Sequence, residues 1–151
     1  MNALELLRKD HSFVRDLLGQ FERTSKTTSE KRMEVFAQIR RELQLHCRAE
    51  EEIFYPALKA MEGEALRLVL VAIKEHHDIN ELLTRISRRK LTDKQFDSGF
   101  ETLIETVDAH LDYEEGEIFR FAEENCSPQQ LEEIGSEIED RRRILDQEMA
   151  A

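Results

Sequence analysis

The sequence is poor in the residues that interrupt helices. Its 151 residues include 5 Gly and 2 Pro, and there is no Trp. Long stretches contain neither of the two strongest helix breakers, while 36% of the residues are charged. This composition is typical of helices with solvated outer faces, and it leaves no obvious place for a strand to begin. We therefore expect an all-α protein.

The sequence also lacks a disulfide framework and a membrane segment. Its 2 cysteines, Cys47 and Cys126, lie in helical surroundings and are interpreted as small packing residues. No apolar run approaches the roughly 20 residues that a membrane-spanning helix needs. The segment from Met1 to Arg15 has neither the basic nor the apolar region of a secretory signal. These features predict a cytoplasmic protein.

Basic residues are outnumbered by acidic ones. The chain has 22 Lys and Arg against 33 Asp and Glu, which gives a formal net charge of −11. Such a surface repels phosphate backbones and anionic lipid headgroups, so neither nucleic acid nor a membrane is an expected partner. The chain is rich instead in apolar residues, at 40%, which at this length can bury the core of one ordinary domain.

Four apolar stripes repeat at the spacing of three and four residues that places side chains on one face of a helix. The first stripe comprises Leu4, Leu7, His11, Val14, Leu18 and Phe21, and the second comprises Phe36, Ile39, Leu43, His46, Glu50, Ile53 and Ala57. The third comprises Leu66, Val69, Ile73, His76, Asn80 and Leu83, and the fourth comprises Phe96, Phe100, Leu103, Val107, His110, Glu114, Ile118 and Phe121. Each stripe predicts a helix that faces a common core.

Polar residues and helix breakers separate the stripes. Residues 24–29 form a polar linker, Gly63 ends the second helix, and Thr92 with Gln95 caps the fourth. These short connections favour an antiparallel up-down-up-down four-helix bundle over residues 1–126.

A further helix is predicted in residues 127–151. Ser127 fits its N-cap, Pro128 its first helical position, and Gln130 completes the capping box. We expect this additional helix to be short and to pack on or beside the bundle.

One motif occurs twice, as His46-Cys47-Arg48-Ala49-Glu50-Glu51 and as His110-Leu111-Asp112-Tyr113-Glu114-Glu115. Each copy is preceded upstream by an acidic-His pair, Asp10-His11 or Glu75-His76, at nearly the same separation. A His and a Glu at i and i+4 lie one turn apart on one helix face, so each motif can supply two ligands of a metal site. Each half of the sequence therefore predicts one helix hairpin with the same three ligand types.

The repeated side chains occupy core positions of their stripes. They are His11, His46, Glu50, His76, His110 and Glu114. A single histidine on an apolar face is usually a hydrogen-bonded core residue, but unpaired buried carboxylates cost several kcal/mol each. No Lys or Arg occupies the stripes, so a metal is the remaining counter-charge. Two divalent ions could share the two carboxylates, and this nitrogen and oxygen donor set suits iron, with manganese or zinc as competitors.

These residues resemble the hemerythrin-like, or HHE cation-binding, domains. That family carries Asp-His, His-x-x-x-Glu-Glu, Glu-His and His-x-x-x-Glu on four successive helices, and the match covers about residues 1–125, including Ile53-Phe54-Tyr55-Pro56. The resemblance implies a non-haem di-iron centre with an oxo or hydroxo bridge. It implies that His11 and His46 bind one iron, that His76 and His110 bind the other, and that Glu50 and Glu114 bridge them.

The chain departs from the oxygen-carrying hemerythrins. Those proteins have two histidines at i and i+4 on the third helix, whereas Ala72 and Asn80 lie four residues from His76 here. They also end with His-x-x-x-x-Asp, and this chain has His-x-x-x-Glu. The ligand set looks more like the four-His, two-Glu centre of bacterial proteins that repair iron centres, without their cysteine-containing N-terminal domain. The resemblance therefore favours neither reversible oxygen carriage nor iron–sulfur repair.

Other residues near the motifs carry weaker signals. His77 lies about 100° around the helix from His76, which indicates a surface or ligand-supporting position. Glu51 and Glu115 are interpreted as solvated, and Tyr113 as a residue packed at the core boundary. Gly116 lengthens the second motif by one residue, which predicts either a shift of face or a π-bulge.

The leading functional hypothesis is a di-iron protein that binds oxygen, nitric oxide or peroxide, for sensing, detoxification or iron and redox homeostasis. A binding role is favoured because no other polar group converges on the core to hold a larger substrate. The alternatives are an enzyme that turns over peroxide or nitric oxide, or oxidises ferrous ion, and a metal-free acidic bundle that docks a protein partner.

Overall fold

The computed structural model describes residues 1–24, 29–91 and 93–150, and every regular element within them is helical, as predicted. The α-helices are α1 Ala3–Arg23, α2 Ser29–Ala49, α3 Tyr55–Lys59, α4 Ala65–Ser87, α5 Lys94–Tyr113, α6 Phe119–Asn125 and α7 Pro128–Ala150. Two π-helical turns, π1 Glu50–Phe54 and π2 Glu114–Ile118, join α2 to α3 and α5 to α6. The backbone stays right-handed helical through these turns. Helices α2 and α3 therefore form one continuous rod through π1, and α5 and α6 form another through π2.

The helix ends follow the capping chemistry of the sequence. Ser127 and Gln130 form the predicted capping box, in which each residue's backbone N–H donates to the other's side chain, at 2.8 and 3.1 Å. Gly63 takes a φ of +67° just after α3, which suits glycine and confirms the predicted end of that helix. Asp93 caps α5 by accepting from the Gln95 N–H. The predicted cap Thr92 and linker residues 25–28 lie outside the described residues.

The C-terminal helix α7 is not short, so that prediction is wrong. It has 23 residues, because Leu131, Ile134, Ile138 and Leu145 continue an apolar stripe that is buried against the rest of the protein. The helix contacts α1, α2 and π1. It approaches so closely at Gly135 that a Cβ atom there would lie 2.5 Å from the Met1 carbonyl oxygen. The length of α7 thus follows from the surface on which it packs.

The π-turns shift the buried face by one residue. The stripe of the second helix was expected to continue through Ile53 and Ala57, but Phe54 and Leu58 are the fully buried residues. Each π-turn adds a residue to one helical turn, which rotates everything after it. Gly116 does lie in a π-turn, yet both motifs contain one, and both turns begin at the buried glutamate of the motif.

The core consists of two apolar clusters with a polar centre between them. One cluster includes Leu7, Phe54 and Phe119, and the other includes Phe21, Ile39 and Leu103. Helix α1 packs on α2, and α4 packs on α5. None of the helices in the described part of the chain combines the length and apolarity that a membrane crossing requires.

Candidate metal centre

Six polar side chains meet in the interior, each 2% exposed or less: His11, His46, Glu50, His76, His110 and Glu114. They are the six residues that the doubled motif singles out, and the structure brings all of them together. Their ligand atoms form two groups, and within each group all atoms lie within 4.8 Å of one another. We call these the His11/His46 site and the His76/His110 site, and both include Glu50 and Glu114. Either group could hold a metal ion.

The two glutamates face both sites. The Oε1 atom of Glu50 lies 2.9 Å from the His46 Nε2 atom and 3.2 Å from the His76 Nε2 atom. Glu114 turns Oε1 toward His11 Nε2, at 2.9 Å, and Oε2 toward His110 Nε2, at 4.0 Å. Both carboxylates therefore have the placement that a bridge between two cations requires.

Each histidine is anchored by a carboxylate at the edge of the centre. The Nδ1 atom of His46 is bonded to Asp10, that of His76 to Glu51, that of His110 to Glu75, and that of His11 to Glu115, at 2.8 to 3.2 Å. We call these four acids the outer carboxylates. Asp10, Glu51 and Glu75 precede their histidines in the chain, and Glu115 in π2 returns to His11 in α1. The four bonds therefore join α1 to α2, π1 to α4, α4 to α5, and π2 to α1, which closes a circle.

These outer bonds decide where the histidine lone pairs point. An ionised carboxylate only accepts hydrogen bonds, so each Nδ1 atom must carry the hydrogen. When a ring is neutral, its Nε2 atom is then left with a lone pair directed into the centre, which is the arrangement of a metal-ligating histidine. His76 Nε2 and His110 Nε2 lie only 3.0 Å apart in this arrangement.

The centre contains buried atoms that protein groups do not satisfy. Within the described residues, His46 Nε2 and both carboxylate oxygens of Glu50 are buried and have no hydrogen-bond partner. The His46–Glu50 separation of 2.9 Å is short enough for a hydrogen bond, but its geometry is not that of one. Buried polar atoms are nearly always paired, so these three atoms fit the ligands of a cation.

The electrostatics of the centre point the same way. Burial alone would lower the pKa of His46, but the charge of Glu50, the bond to Asp10 and the nearby Glu114 carboxylate raise this pKa well above its ordinary value. Burial alone would raise the pKa of Glu114, yet the neighbouring side chains of Glu50, His11 and His46 hold it well below its ordinary value. The pocket thus stabilises positive charge on the rings and negative charge on the carboxylate, which is the electrostatics of a cation site.

Two aromatic rings distinguish the two sites. Tyr55 stacks on His76 with ring centroids 5.5 Å apart, and Phe119 stacks on His11 at the same distance. Each is the fifth residue after a motif glutamate, so they occupy equivalent positions. The Tyr55 hydroxyl donates to Glu114 Oε2 and lies 3.3 Å from His76 Nε2. Burial and the charges of Glu114 and Glu50 raise the pKa of Tyr55 well above its ordinary value, so it stays protonated.

The sequence patterns do not single out Tyr55, although a signal for it exists. Aligning the two motifs on Ile-Phe hides the equivalence, because Ile53 aligns with Ile118 and leaves Gly116 as an insertion. Aligning them on the glutamates pairs Tyr55 with Phe119 instead. This alignment also removes the need for an insertion in the second motif.

The predictions for residues outside the six candidate ligands are confirmed in part. His77 is 72% exposed and lies 3.8 Å from Glu81, so it is a surface residue. Tyr113 packs at the core boundary as expected, with its hydroxyl donating to the Leu68 carbonyl oxygen at 3.2 Å. Glu51 and Glu115 were interpreted as solvated rather than coordinating, and both lie outside the two ligand groups and are partly exposed. Each also accepts from a ligand histidine, which was not predicted. Cys47 and Cys126 are buried free thiols.

Known proteins are similar to this chain in sequence and in fold. Residues 2–122 match the family model described as the hemerythrin HHE cation binding domain. A crystal structure of a hemerythrin HHE cation binding domain-containing protein from Mycobacterium kansasii superposes with a TM-score of 0.85 and 26% identity, over 95% of this chain and 86% of that chain.

Two curated proteins are also similar along most of this chain. A DNA nickase from Nostoc sp. is 27% identical over 99% of this chain, which spans only 41% of that longer protein. An uncharacterized protein of Mycobacterium tuberculosis is 25% identical over 91% of this chain and 83% of its own length. The family model covers most of the chain and includes all six residues of the buried centre, so this protein belongs to the hemerythrin HHE cation-binding domain family.

Proposed function

We propose that this protein is a non-haem di-iron protein that binds a small ligand such as oxygen, nitric oxide or peroxide. The observation that carries the proposal is the pair of four-residue sites that share Glu50 and Glu114. Two divalent ions would neutralise two buried carboxylates whose charge is otherwise costly. Each ion would have two imidazoles and two carboxylate oxygens, which leaves coordination positions open.

The proposal assigns a role to each residue of the centre. His11 and His46 would hold one iron, His76 and His110 the other, and Glu50 and Glu114 would bridge the two. Iron supplies the affinity for a small redox-active ligand when it is bound, and manganese or zinc could substitute in the same donor set. The outer carboxylates fix the histidine rings so that the Nε2 atoms face inward.

The proposal also includes the topology of the helix bundle and the cellular location of the protein. An antiparallel up-down-up-down bundle would make each helix a neighbour of the next and the last a neighbour of the first. The circular order of the bonds between outer carboxylates and histidines supports this order. We place the protein in the cytoplasm, and the formal charge of −11 supports leaving nucleic acid out of the proposal.

Turnover of peroxide is a second candidate function, and Tyr55 favours it. Tyr55 and Phe119 each stack on a ligand histidine, and of these two rings only Tyr55 has a hydroxyl. This hydroxyl donates to Glu114 in the centre. A hydrogen-bond donor at this point could assist the transfer of a proton to a bound ligand. If stopped-flow mixing of the ferrous protein with peroxide gives a stable adduct, binding is supported; continuous loss of peroxide supports turnover.

Metal loading tests the leading proposal. The protein is reconstituted anaerobically with ferrous ion, freed of excess metal by gel filtration, and analysed for iron, manganese and zinc. We expect close to two iron ions per chain and an absorption spectrum that changes on exposure to air. Protein that holds no metal in stoichiometric amount contradicts the proposal and supports a metal-free structural bundle.

A further inference from the structure

The four outer carboxylates are not equivalent, because arginines contact only two of them. Asp10 is paired with Arg142 of α7, which also lies 3.0 Å from Glu42. Glu115 is paired with Arg15, whose Nη1 atom lies 3.0 Å from the same carboxylate oxygen that accepts from His11. Within the described residues, neither Glu51 nor Glu75 has an arginine or lysine partner.

The arginines fall on one side of the centre. Asp10 and Glu115 anchor His46 and His11, the two histidines of the His11/His46 site. The outer carboxylates without arginines anchor His76 and His110. Each site therefore has two outer carboxylates, but only at the His11/His46 site are these carboxylates shared with guanidinium groups.

Sharing weakens the bond from carboxylate to histidine. A carboxylate that also binds a guanidinium accepts less strongly from the imidazole Nδ1–H group, so the imidazole becomes a poorer electron donor at Nε2.

The charge of the arginines acts in the same direction. Each guanidinium lies one carboxylate away from a ligand histidine, in a partly buried position where solvent screens it less than on the open surface. Arg15 also pairs with the exposed Asp112, and Arg142 with Glu42, but these two acids make no bond to a ligand histidine in the described residues. The His11/His46 site therefore disfavours additional positive charge on its metal more than the other site does.

We propose that the two metal positions are electronically unequal and that Arg142 and Arg15 maintain the difference. The iron between His76 and His110 would be oxidised first, and the iron between His11 and His46 would remain ferrous longest. Arg142 and Arg15 are positioning residues, since they act through Asp10 and Glu115. Through Arg142, the packing of α7 would tune the reduction potential of the centre. This inference rests on the proposed di-iron function.

A redox titration tests the inference. The protein is loaded with iron anaerobically, its metal content is measured, and the two one-electron steps are followed by absorption and electron paramagnetic resonance. We expect two resolved steps in the wild-type protein. In Arg142→Gln the higher potential should fall while the lower one stays, which reduces the comproportionation constant of the mixed-valence state about ten-fold, or about 59 mV for a one-electron couple.

Matched variants separate this effect from a loss of packing. Arg41→Gln removes another arginine that joins α2 to α7, through Asp146, without touching an outer carboxylate, and should leave both potentials unchanged. Arg142→Lys, which retains a cation, should restore most of the separation. Arg15→Gln should act like Arg142→Gln without involving α7, which keeps the test valid if loss of Arg142 loosens that helix.

The outcomes distinguish this inference from the function on which it rests. A wild-type protein that does not bind two iron ions contradicts the proposed function itself. If Arg142→Gln and Arg15→Gln each keep two iron ions and the wild-type separation of potentials, the inequality proposed here is wrong. A narrowing that arises because the lower potential rises would also contradict it.

Discussion

The Nε2 atoms of His76 and His110 face each other across 3.0 Å. Glu51 and Glu75 accept hydrogen bonds from the opposite nitrogens of the two rings, so when both rings are neutral their Nε2 lone pairs point at each other. Two lone pairs at this distance repel unless a proton or a metal lies between them. The centre therefore prefers to hold a positive charge at this point, either a proton or a metal ion.

Replacing Glu50 with an apolar residue should raise the stability of the metal-free protein and abolish metal binding. Both Glu50 oxygens are buried without a hydrogen-bond partner in the described residues, so at a pH where His46 is neutral Glu50→Leu should stabilise the metal-free protein by about 1–3 kcal/mol. The same variant should lose metal, because Glu50 belongs to both sites. Urea denaturation with a chelator present measures the first effect, and metal analysis measures the second.

Glu52→Leu is the matched control, since Glu52 lies two residues away and pairs only with surface arginines among the described residues. It should keep its metal and change the free energy of unfolding by less than about 0.5 kcal/mol. A metal-free Glu50→Leu protein that is markedly less stable than wild type would show that Glu50 is a structural residue.

Stability should respond to pH in opposite ways with and without metal. Against the effect of burial, Glu50 and Asp10 raise the pKa of His46, and Cys47, Glu50 and Glu51 raise the pKa of His76. The folded chain therefore keeps these protons to higher pH than the unfolded chain does. Their stabilising contribution is complete below the unfolded pKa of about 6.5 and is lost as pH rises through the folded pKa. Metal ions replace these protons and bind better as pH rises.

We therefore expect the increase in Tm caused by zinc, used as a redox-silent ion, to grow between about pH 6 and pH 8.5. Asp10 and Glu114 have lowered pKa values, so their contributions are lost only as the solution becomes strongly acidic, outside this window. A zinc-dependent increase that stays constant across the range would argue against competition between metal and protons.

Tyr55→Phe should make the two sides of the centre alike. The variant removes the hydroxyl that donates to Glu114 and leaves a ring equivalent to Phe119. Loss of a buried hydrogen bond to a charged group should cost about 1.5–3 kcal/mol in the metal-free protein. We expect metal loading to persist but the absorption spectrum of the oxidised protein to change.

Tyr113→Phe is the control, because its hydroxyl bonds to the Leu68 carbonyl oxygen away from the centre. It should lower stability by about 1 kcal/mol and leave the spectrum of the oxidised protein unaltered. Identical spectra for Tyr55→Phe and wild type would place Tyr55 outside the chemistry of the centre.

Gly135→Ala should displace α7 from its packed position beside the start of α1. The added Cβ atom would lie 2.5 Å from the Met1 carbonyl oxygen, a backbone atom that cannot move without shifting the start of α1. We expect a loss of about 1–3 kcal/mol in the free energy of unfolding. Gly116→Ala meets nothing within 4 Å and should instead stabilise the helix by about 0.5–1 kcal/mol. Equal effects of the two substitutions would mean that α7 does not pack as described.

Much of the centre could be predicted because its residues interrupt regular patterns. His46 and Glu50 stand where an apolar stripe needs Leu or Ile, and the second copy of the motif repeats the interruption. The structure brings the six candidate ligands into one centre, while their binding of metal stays a prediction.

The partners of the ligands could not be predicted in the same way. Asp10 precedes His11 in the sequence but bonds to His46, because adjacent residues point about 100° apart and Asp10 faces the next helix. The sequence shows which residues are adjacent along the chain, and not which helix lies on each side. The contact between Arg142 and Asp10 could not be predicted for the same reason, since this contact depends on where α7 packs.

The π-turns mark another limit. A period of 3.6 residues predicts the buried face correctly up to Glu50 in the second stripe and up to Ile118 in the fourth, after which one additional residue rotates the helix. No pattern of apolar residues distinguishes this rotation from a simple change of face, so the second stripe was continued through Ile53 and Ala57, and Tyr55 received no role.

The most direct test of the account is the number of metal ions per chain in His76→Ala and His77→Ala. The two histidines are adjacent, but His76 is buried in the centre and His77 is 72% exposed. After anaerobic loading with ferrous ion, we expect two ions in His77→Ala, as in wild type, and at most one in His76→Ala. Equal loading of the two variants would mean that the buried histidines are not metal ligands.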